Sequence, residues 1–300
     1  MADDSQGAQA QLCVEPGASP HTFDGSSEPY PFVSEGLARA DTLLDTNGIR
    51  GTRSHASERV RSGVYTVGGT ILLHPSPADL DLWLPRILGA AESTDTFDLA
   101  ETLPEFGVLI DRVAKTFEYT DCKVNRATFR SSVDGNGLLQ LELDIVGKTE
   151  VEDTSFPTLT LGTADNDAPY AHHDSVVTLA GGALDARAIE IVIDNLLEAS
   201  FNNSRTATSI TPQDRIVTVR TVHPFNSDVT GLYGTAAAGI DGSVVYTNGN
   251  MSTTFTFGQL QFPNESPLVS GKNSIPYTLN MTARKGGLTN ELVVTHDSTA

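Results

Sequence analysis

Leu139-Gln140-Leu141-Glu142-Leu143-Asp144-Ile145 places an aliphatic side chain at every second position and a polar one between. That period of two matches a β-strand with one face in a core and the other in water. Ile189-Glu190-Ile191-Val192-Ile193-Asp194 repeats the pattern, and 253–257 and 277–281 carry weaker versions. Asp-Gly, Asn-Gly and Gly-Gly dipeptides punctuate the chain between such stretches. Strands bounded by these turn formers predict a mainly β, mainly antiparallel fold.

One segment departs from period two. After Ser76-Pro77, the apolar residues Leu80, Trp83, Leu84, Ile87 and Leu88 fall at helical spacing. Ser76 suits the N-cap, Pro77 the first turn and Gly89 the stop, so a short amphipathic helix is expected over 77–88. Pro85 lies inside it and should kink or interrupt it. Trp83 sits on the apolar stripe and reads as a core anchor rather than a ligand platform.

The order of elements occurs twice. His74-Pro75, Asp79-Leu80 and Trp83-Leu84 are echoed with the same spacing by His223-Pro224, Asp228-Val229 and Leu232-Tyr233. Leu43-Leu44 precedes a polar loop holding Arg53 and Arg59, as Leu196-Leu197 precedes one holding Arg205 and Arg215. Phe117-Glu118-Tyr119 corresponds to Phe255-Thr256-Phe257, and the strand 138–147 to 275–283. Self-similarity of this kind predicts a duplicated unit. The expected organisation is a flexible arm over 1–30, one domain over 31–150, a linker over 151–183 and a second domain over 184–300.

Composition narrows the function. Hydrophobic residues at 39% and charged residues at 19% are ordinary for a folded chain. Nothing in the sequence is long and apolar enough to span a membrane, and the acidic N-terminus lacks the marks of a signal peptide. With 38 acids against 19 Lys and Arg, the net charge is −19, the wrong sign for gripping nucleic acid. Such a charge keeps a protein soluble, and it also gives a wall past which DNA slides without sticking. Cys13 and Cys122 are too far apart in sequence for a metal knuckle and read as two unrelated thiols.

Catalytic and metal-binding patterns are weak. Val146-Gly147-Lys148-Thr149 resembles the end of a phosphate loop, but Glu142 stands where that motif needs glycine. Asp165, Asp167, His172, His173 and Asp174 are possible metal ligands with no established spacing, and a solvated linker explains them better. Glu142 with Asp144, or Glu190 with Asp194, could serve as the acid–base pair of a hydrolase, although alternation on a strand equally makes them a polar exterior. No catalytic, cofactor-binding or metal residue is therefore assigned. The loop Arg50-Gly51-Thr52-Arg53-Ser54-His55-Ala56-Ser57-Glu58-Arg59-Val60-Arg61 is basic in an acidic chain, and reads either as solvated or as an arm that docks on an acidic surface.

The order of several stretches resembles the tail tube proteins of long-tailed, siphovirus-type bacteriophages. These are Ile49-Arg50-Gly51-Thr52-Arg53-Ser54, Glu58-Arg59-Val60-Arg61-Ser62-Gly63, Val67-Gly68-Gly69-Thr70-Ile71, the helix ending Leu-Pro-Arg-Ile-Leu-Gly, Asp194-Asn195-Leu196-Leu197, Asp214-Arg215 and Ser266-Pro267. The resemblance implies two tandem β-sandwich, barrel-forming domains, each with a short flanking α-helix. It implies a structural virion protein, made in the host bacterial cytoplasm, that stacks as rings into the tube conducting DNA to the host. Three chains, or alternatively six, would complete a ring, with tail tip and tail terminator proteins as partners and DNA passing unbound.

On this reading Arg50, Arg53, Arg59, Arg61, Arg205 and Arg215 are candidates for contact between rings, and Glu142, Asp144, Glu190 and Asp194 for the channel wall. Two rival classes remain: a receptor- or carbohydrate-binding β-sandwich of a phage fibre or capsid decoration, and a paired-carboxylate hydrolase. Glycan binding would mark the first, and turnover lost on mutating one carboxylate the second. Aromatics at 7% are sparse for sugar stacking.

Overall fold

The structure is a computed structural model that describes residues 6–298 apart from 26, 46–47, 50, 56, 154–155, 158–166, 236–237, 270 and 289. In chain order it begins with β1 (Gln11–Pro16), β2 (Glu28–Pro29), β3 (Ser34–Glu35), β4 (Ala38–Asp45) and β5 (Val60–Leu73). Helix α1 (Pro77–Leu88) follows, then β6 (Thr96–Asp98), β7 (Phe106–Asp111), β8 (Thr116–Ser132), β9 (Gln140–Gly147) and β10 (Thr149–Asp153). The second half carries β11 (Ser175–Leu179), β12 (Gly182–Leu184), β13 (Ala188–Asp194), β14 (Leu197–Ser200), β15 (Ser209–Pro212) and β16 (Ile216–Pro224). It ends with α2 (Ser227–Thr230), β17 (Ile240–Asn248), β18 (Met251–Gln261), β19 (Pro276–Arg284) and β20 (Leu292–Asp297). The chain is mainly β, as the alternating stretches require, and every strand pairing is antiparallel.

One pairing order recurs. In the first half β3 and β4 lie on β5, β5 on β9, and β9 on the C-terminal part of β8. The N-terminal part of β8 turns into a second layer with β7 and β10, and β1 and β2 continue that layer beyond β7. In the second half β13 lies on β16, β16 on β19, and β19 on the end of β18. The rest of β18 joins β17 and β20, with β11 and β12 continuing beyond β17. The two series meet at a seam where β13 pairs with β8, from Ala188 opposite Ser132 to Asp194 opposite Arg126.

Between the layers lies one apolar core shared by both halves. Phe129 of β8 meets Phe255 of β18 edge to face at 5.0 Å, and both are fully buried. Helix α1 contributes Leu80, Trp83, Leu84, Ile87 and Leu88 to it. Ser76 and Asp79 form a reciprocal capping box, and Gly89 ends the helix in the left-handed region at φ 92°. Pro85 sits inside this helix without ending it. Trp83 packs against Tyr30 and Phe106 as an anchor.

Three expectations from composition and spacing need adjusting. The stretch read as a flexible arm supplies β1, which runs along β7 and buries Leu12, Cys13 and Val14; residues 1–5 and 26 lie outside the described residues. The stretch read as a linker includes β10 up to Asp153 and, from Ser175, β11 and β12; of its centre, 154–155 and 158–166 lie outside the described residues. The His-Pro echo is one residue out of step on the strands. Leu73 and His223 are the buried counterparts, whereas His74 is half-buried. The helix echo holds where packing demands it, since Val229 and Leu232 are buried like Leu80 and Trp83, but Tyr233 stays exposed and α2 has only one turn.

Candidate functional site

Two surfaces gather the residues singled out by the sequence. The first is a hairpin arm made by the outer parts of β4 and β5, with Leu43 opposite Ser62 and Asp45 opposite Val60. An irregularity between Asp41 and Leu43 shifts the register there, and beyond it the arm has little to pack on. Leu43 is 72% exposed and Leu44 59%. Arg53, Arg59 and Arg61 are also exposed, and none forms an ion pair among the described residues. Arg50 lies outside the described residues.

The second-half arginines behave differently. A short hairpin of β14 and β15 holds the loop with Arg205 against the base of the arm. The Tyr65 N–H donates to the Arg205 carbonyl at 3.1 Å, and Arg205 Nε donates to the Gly63 carbonyl at 3.0 Å. Arg215 donates to the Ala100 carbonyl at 3.0 Å and approaches Glu291 at 3.4 Å. Both guanidinium groups are occupied inside the chain. Spacing in sequence grouped all six arginines, but only tertiary contacts separate Arg205 and Arg215 from Arg53, Arg59 and Arg61.

The second surface is the polar face of the sheet running from β5 through β9, β8, β13 and β16 to β19. Directly opposed residues of paired strands point to the same side. Arg130 opposes Gln140 and Glu190, Glu190 opposes Arg220, and Arg220 opposes Asn280. Asp144 opposes Arg126, which opposes Asp194. Glu142, Asp144, Glu190 and Asp194 therefore share one face, as their alternation predicts.

The sequence reading did not include the cations on that face. Arg126 bonds Asp194 at 3.1 Å, and Arg130 bridges Glu142 at 2.9 Å and Glu190 at 2.7 Å. Asn125 donates to Asp144 at 2.7 Å. Arg220 and Arg284 stand exposed on the same side. The face thus carries four arginines beside these four acids, of which Arg126 and Arg130 form the ion pairs. The signal was present in Arg126-Ala127-Thr128-Phe129-Arg130, which alternates as strictly as the acidic strands.

These contacts also bear on chemistry. Both acids of each proposed acid–base pair are held by arginine or asparagine side chains on the sheet face. Of the candidate metal ligands, Asp165 lies outside the described residues. His172 is not a solvated linker residue. It is buried, with Nδ1 2.9 Å from Ser131 Oγ and Nε2 2.9 Å from the Ala186 carbonyl, so both ring nitrogens are used. His173 faces Asp174 at 3.4 Å on the surface. Among the described residues, no group of three or more His, Cys, Asp or Glu lies together where it could hold a metal.

Thr253, His296 and Asp81 line up like a nucleophile, base and orienting acid, at 2.8 Å and 3.1 Å. Thr253 and His296 are sealed in the core, and Thr253 also contacts the Tyr170 hydroxyl, so the row joins strands to α1 instead of meeting solvent. Cys13 and Cys122 are buried free thiols. Burial first, and Glu15 second, push the Cys13 thiol up to about 12, which leaves it protonated and inert. No helix among the described residues is long and apolar enough to cross a membrane.

Comparison with known protein families matches residues 6–283 to the family described as phage tail tube protein. No curated protein matches the chain.

Proposed function

We propose, from the premise that the chain belongs to the phage tail tube protein family, that it stacks as rings into the hollow tail tube of a long-tailed phage and lets DNA pass from capsid to host. A member of this family is a structural component of the virion that assembles with itself and with other tail proteins. The observation that carries the finer reading is the pairing order found twice, β4-β5-β9-β8 and β13-β16-β19-β18, joined at one seam. Two tube domains per chain, 31–150 and 184–300, account for that repetition, and three chains then complete a ring of six units. Closing such a sheet on itself removes the exposed edges that otherwise template aggregation.

Successive rings are joined head to tail by a contact that does not close, which generates a filament. The arm suits this contact, since its Arg50, Arg53, Arg59 and Arg61 belong to a strongly acidic protein and can pair with carboxylates of the next ring. Arg205 and Arg215 act indirectly, by bracing the arm and the neighbouring loops. A tail tip protein starts the tube and a terminator caps it, and assembly takes place in the host cytoplasm.

The polar face with Glu142, Asp144, Glu190 and Asp194 lines the channel. Its wall is charge-compensated, not uniformly negative: Arg126 and Arg130 are already engaged by carboxylates, which limits their hold on the phosphates of passing DNA. Averaged end-on electron micrographs of the concentrated protein test the whole reading. Hollow rings with threefold or pseudo-sixfold symmetry are expected. True sixfold density refutes the duplication, and a solid closed oligomer refutes the tube. Neutralising all four acids to Gln or Asn leaves the arginines unpaired and should slow DNA ejection; an unchanged rate ends the channel-wall assignment.

A further inference from the structure

β8 and β18 occupy equivalent places in the two halves, yet β8 has 17 residues and β18 only 11. The missing residues correspond to the part of β8 that forms the seam with β13. β18 leaves its neighbour after Gln261, opposite Thr282, so among the described residues β19 from Pro276 to Met281 has β16 on one side and no strand on the other. The segment that follows, 263–269, is not a strand, and Leu268 is 80% exposed and Val269 73%. At the far end of the same sheet β3 and β4 pair, among the described residues, only with β5, which leaves their outer edge open. Position by position, β3 and β4 take the place in the first half that β13 takes in the second: Leu37 and Ile191 are the fully buried counterparts.

We infer that residues 262–268 become a strand only when a second copy of this chain presents its β3–β4 edge, so that the seam seen inside one chain between β8 and β13 is reproduced between chains. This inference rests on the tube reading, and it adds which two segments meet and that one of them folds on contact. The seam between β8 and β13 supplies the template, and one closed ring uses both open edges of every copy.

The sequence of the segment fits a strand held back until then. Alternate residues of a strand direct their N–H groups to opposite sides. Pro263 and Pro267 share one orientation, so they remove donors from one side only. Asn264, Ser266 and Leu268 keep the donors of the other side. Pairing on one side alone is therefore weak, which agrees with the open segment in the single chain. Asn264 and Ser266 meanwhile lie against the loop after α2, where Asn264 accepts from the Gly234 N–H at 3.0 Å and Ser266 meets the Tyr233 hydroxyl at 3.3 Å. These exposed contacts can be exchanged for a strand pairing.

Disulfide trapping tests the inference. Ala38 is exposed at the open edge, and the equivalence with the internal seam places it opposite Glu265 or Ser266 of the next copy. Chains carrying A38C with E265C, or A38C with S266C, are assembled, oxidised and denatured. Covalent closed trimers from one of the two pairs are expected in tubes, and no cross-link is expected in dilute monomer. Tubes that form without either cross-link overturn the inference and leave the tube reading intact, and a cross-link within the monomer overturns it as well. A protein that forms neither rings nor tubes at any concentration overturns the tube reading, and this inference with it. L268P provides a second readout, because Leu268 is exposed and its N–H belongs to the side the prolines leave intact. It should leave the melting curve of the monomer unchanged and raise the concentration needed for assembly about tenfold, whereas L268A should not. Equal assembly by L268P and L268A refutes the strand.

Discussion

If the two halves are folded around one shared core, truncating Phe129 should destabilise the second half as much as the first. Phe129 and Phe255 belong to different halves, are fully buried, and meet at 5.0 Å with an interplanar angle of 61°. Removing a buried phenylalanine side chain costs about 3–5 kcal/mol, through lost burial plus the cavity left behind. The edge-to-face contact adds about 0.5–1.5 kcal/mol beyond burial, and that part is lost only once. The double variant F129A/F255A should therefore be less destabilised than the sum of F129A and F255A by roughly that amount. Urea denaturation can be followed by fluorescence of Trp83, the only tryptophan, which lies in the first half, and by circular dichroism, which reports both. One coincident transition is expected in all four proteins. Two separated transitions, or single-variant costs that add without coupling, would refute the shared core and make the halves independent domains.

Further tests follow from other contacts. Replacing Arg53, Arg59 and Arg61 together by alanine should abolish or shorten tubes while leaving the melting temperature within about 1–2 °C, because exposed unpaired arginines contribute little to stability; full-length tubes refute the docking role. Burial holds the His223 imidazole below its ordinary value near 6.5, with Nδ1 directed at the Asp185 carbonyl and Nε2 at Thr221 Oγ1. A depressed folded value means stability is full above the unfolded value and is lost as pH falls through it toward the folded one. The urea midpoint should drop as pH falls below about 6.5, and H223Q should flatten that part of the profile; parallel profiles refute the assignment. Gly69 packs its Cα on the β3–β4 junction, where an added Cβ would lie 2.0 Å from the Gly36 carbonyl oxygen. G69A should cost about 1–3 kcal/mol in urea denaturation, and a neutral result means the junction is free to move.

The chain's own pattern determined which segments are strands and which is the helix. Alternation in 139–145 and 189–194 is a local property, since side chains on a strand point to opposite faces whatever the strand pairs with. The cap Ser76 and the stop Gly89 are likewise local, and the helix lies between them. The family was also legible, in the order of short stretches, as was the placement of Glu142, Asp144, Glu190 and Asp194 on a polar face.

Tertiary structure alone decided what those residues meet. Arg126 and Arg130 neutralise the acids because β8 lies between β9 and β13, and the pairing of β8 with β13 joins Arg130 to Glu190, 60 positions apart, which no local period encodes. Arg205 and Arg215 are occupied inside the chain, while Arg53, Arg59 and Arg61 form no ion pair among the described residues, although the sequence places all five in or beside similar polar stretches. Leu12, Cys13 and Val14 looked like part of a polar arm until β7 offered them an edge and a core. Burial and charge pairing depend on neighbours brought together by folding, whereas periodicity and capping depend only on neighbours along the chain.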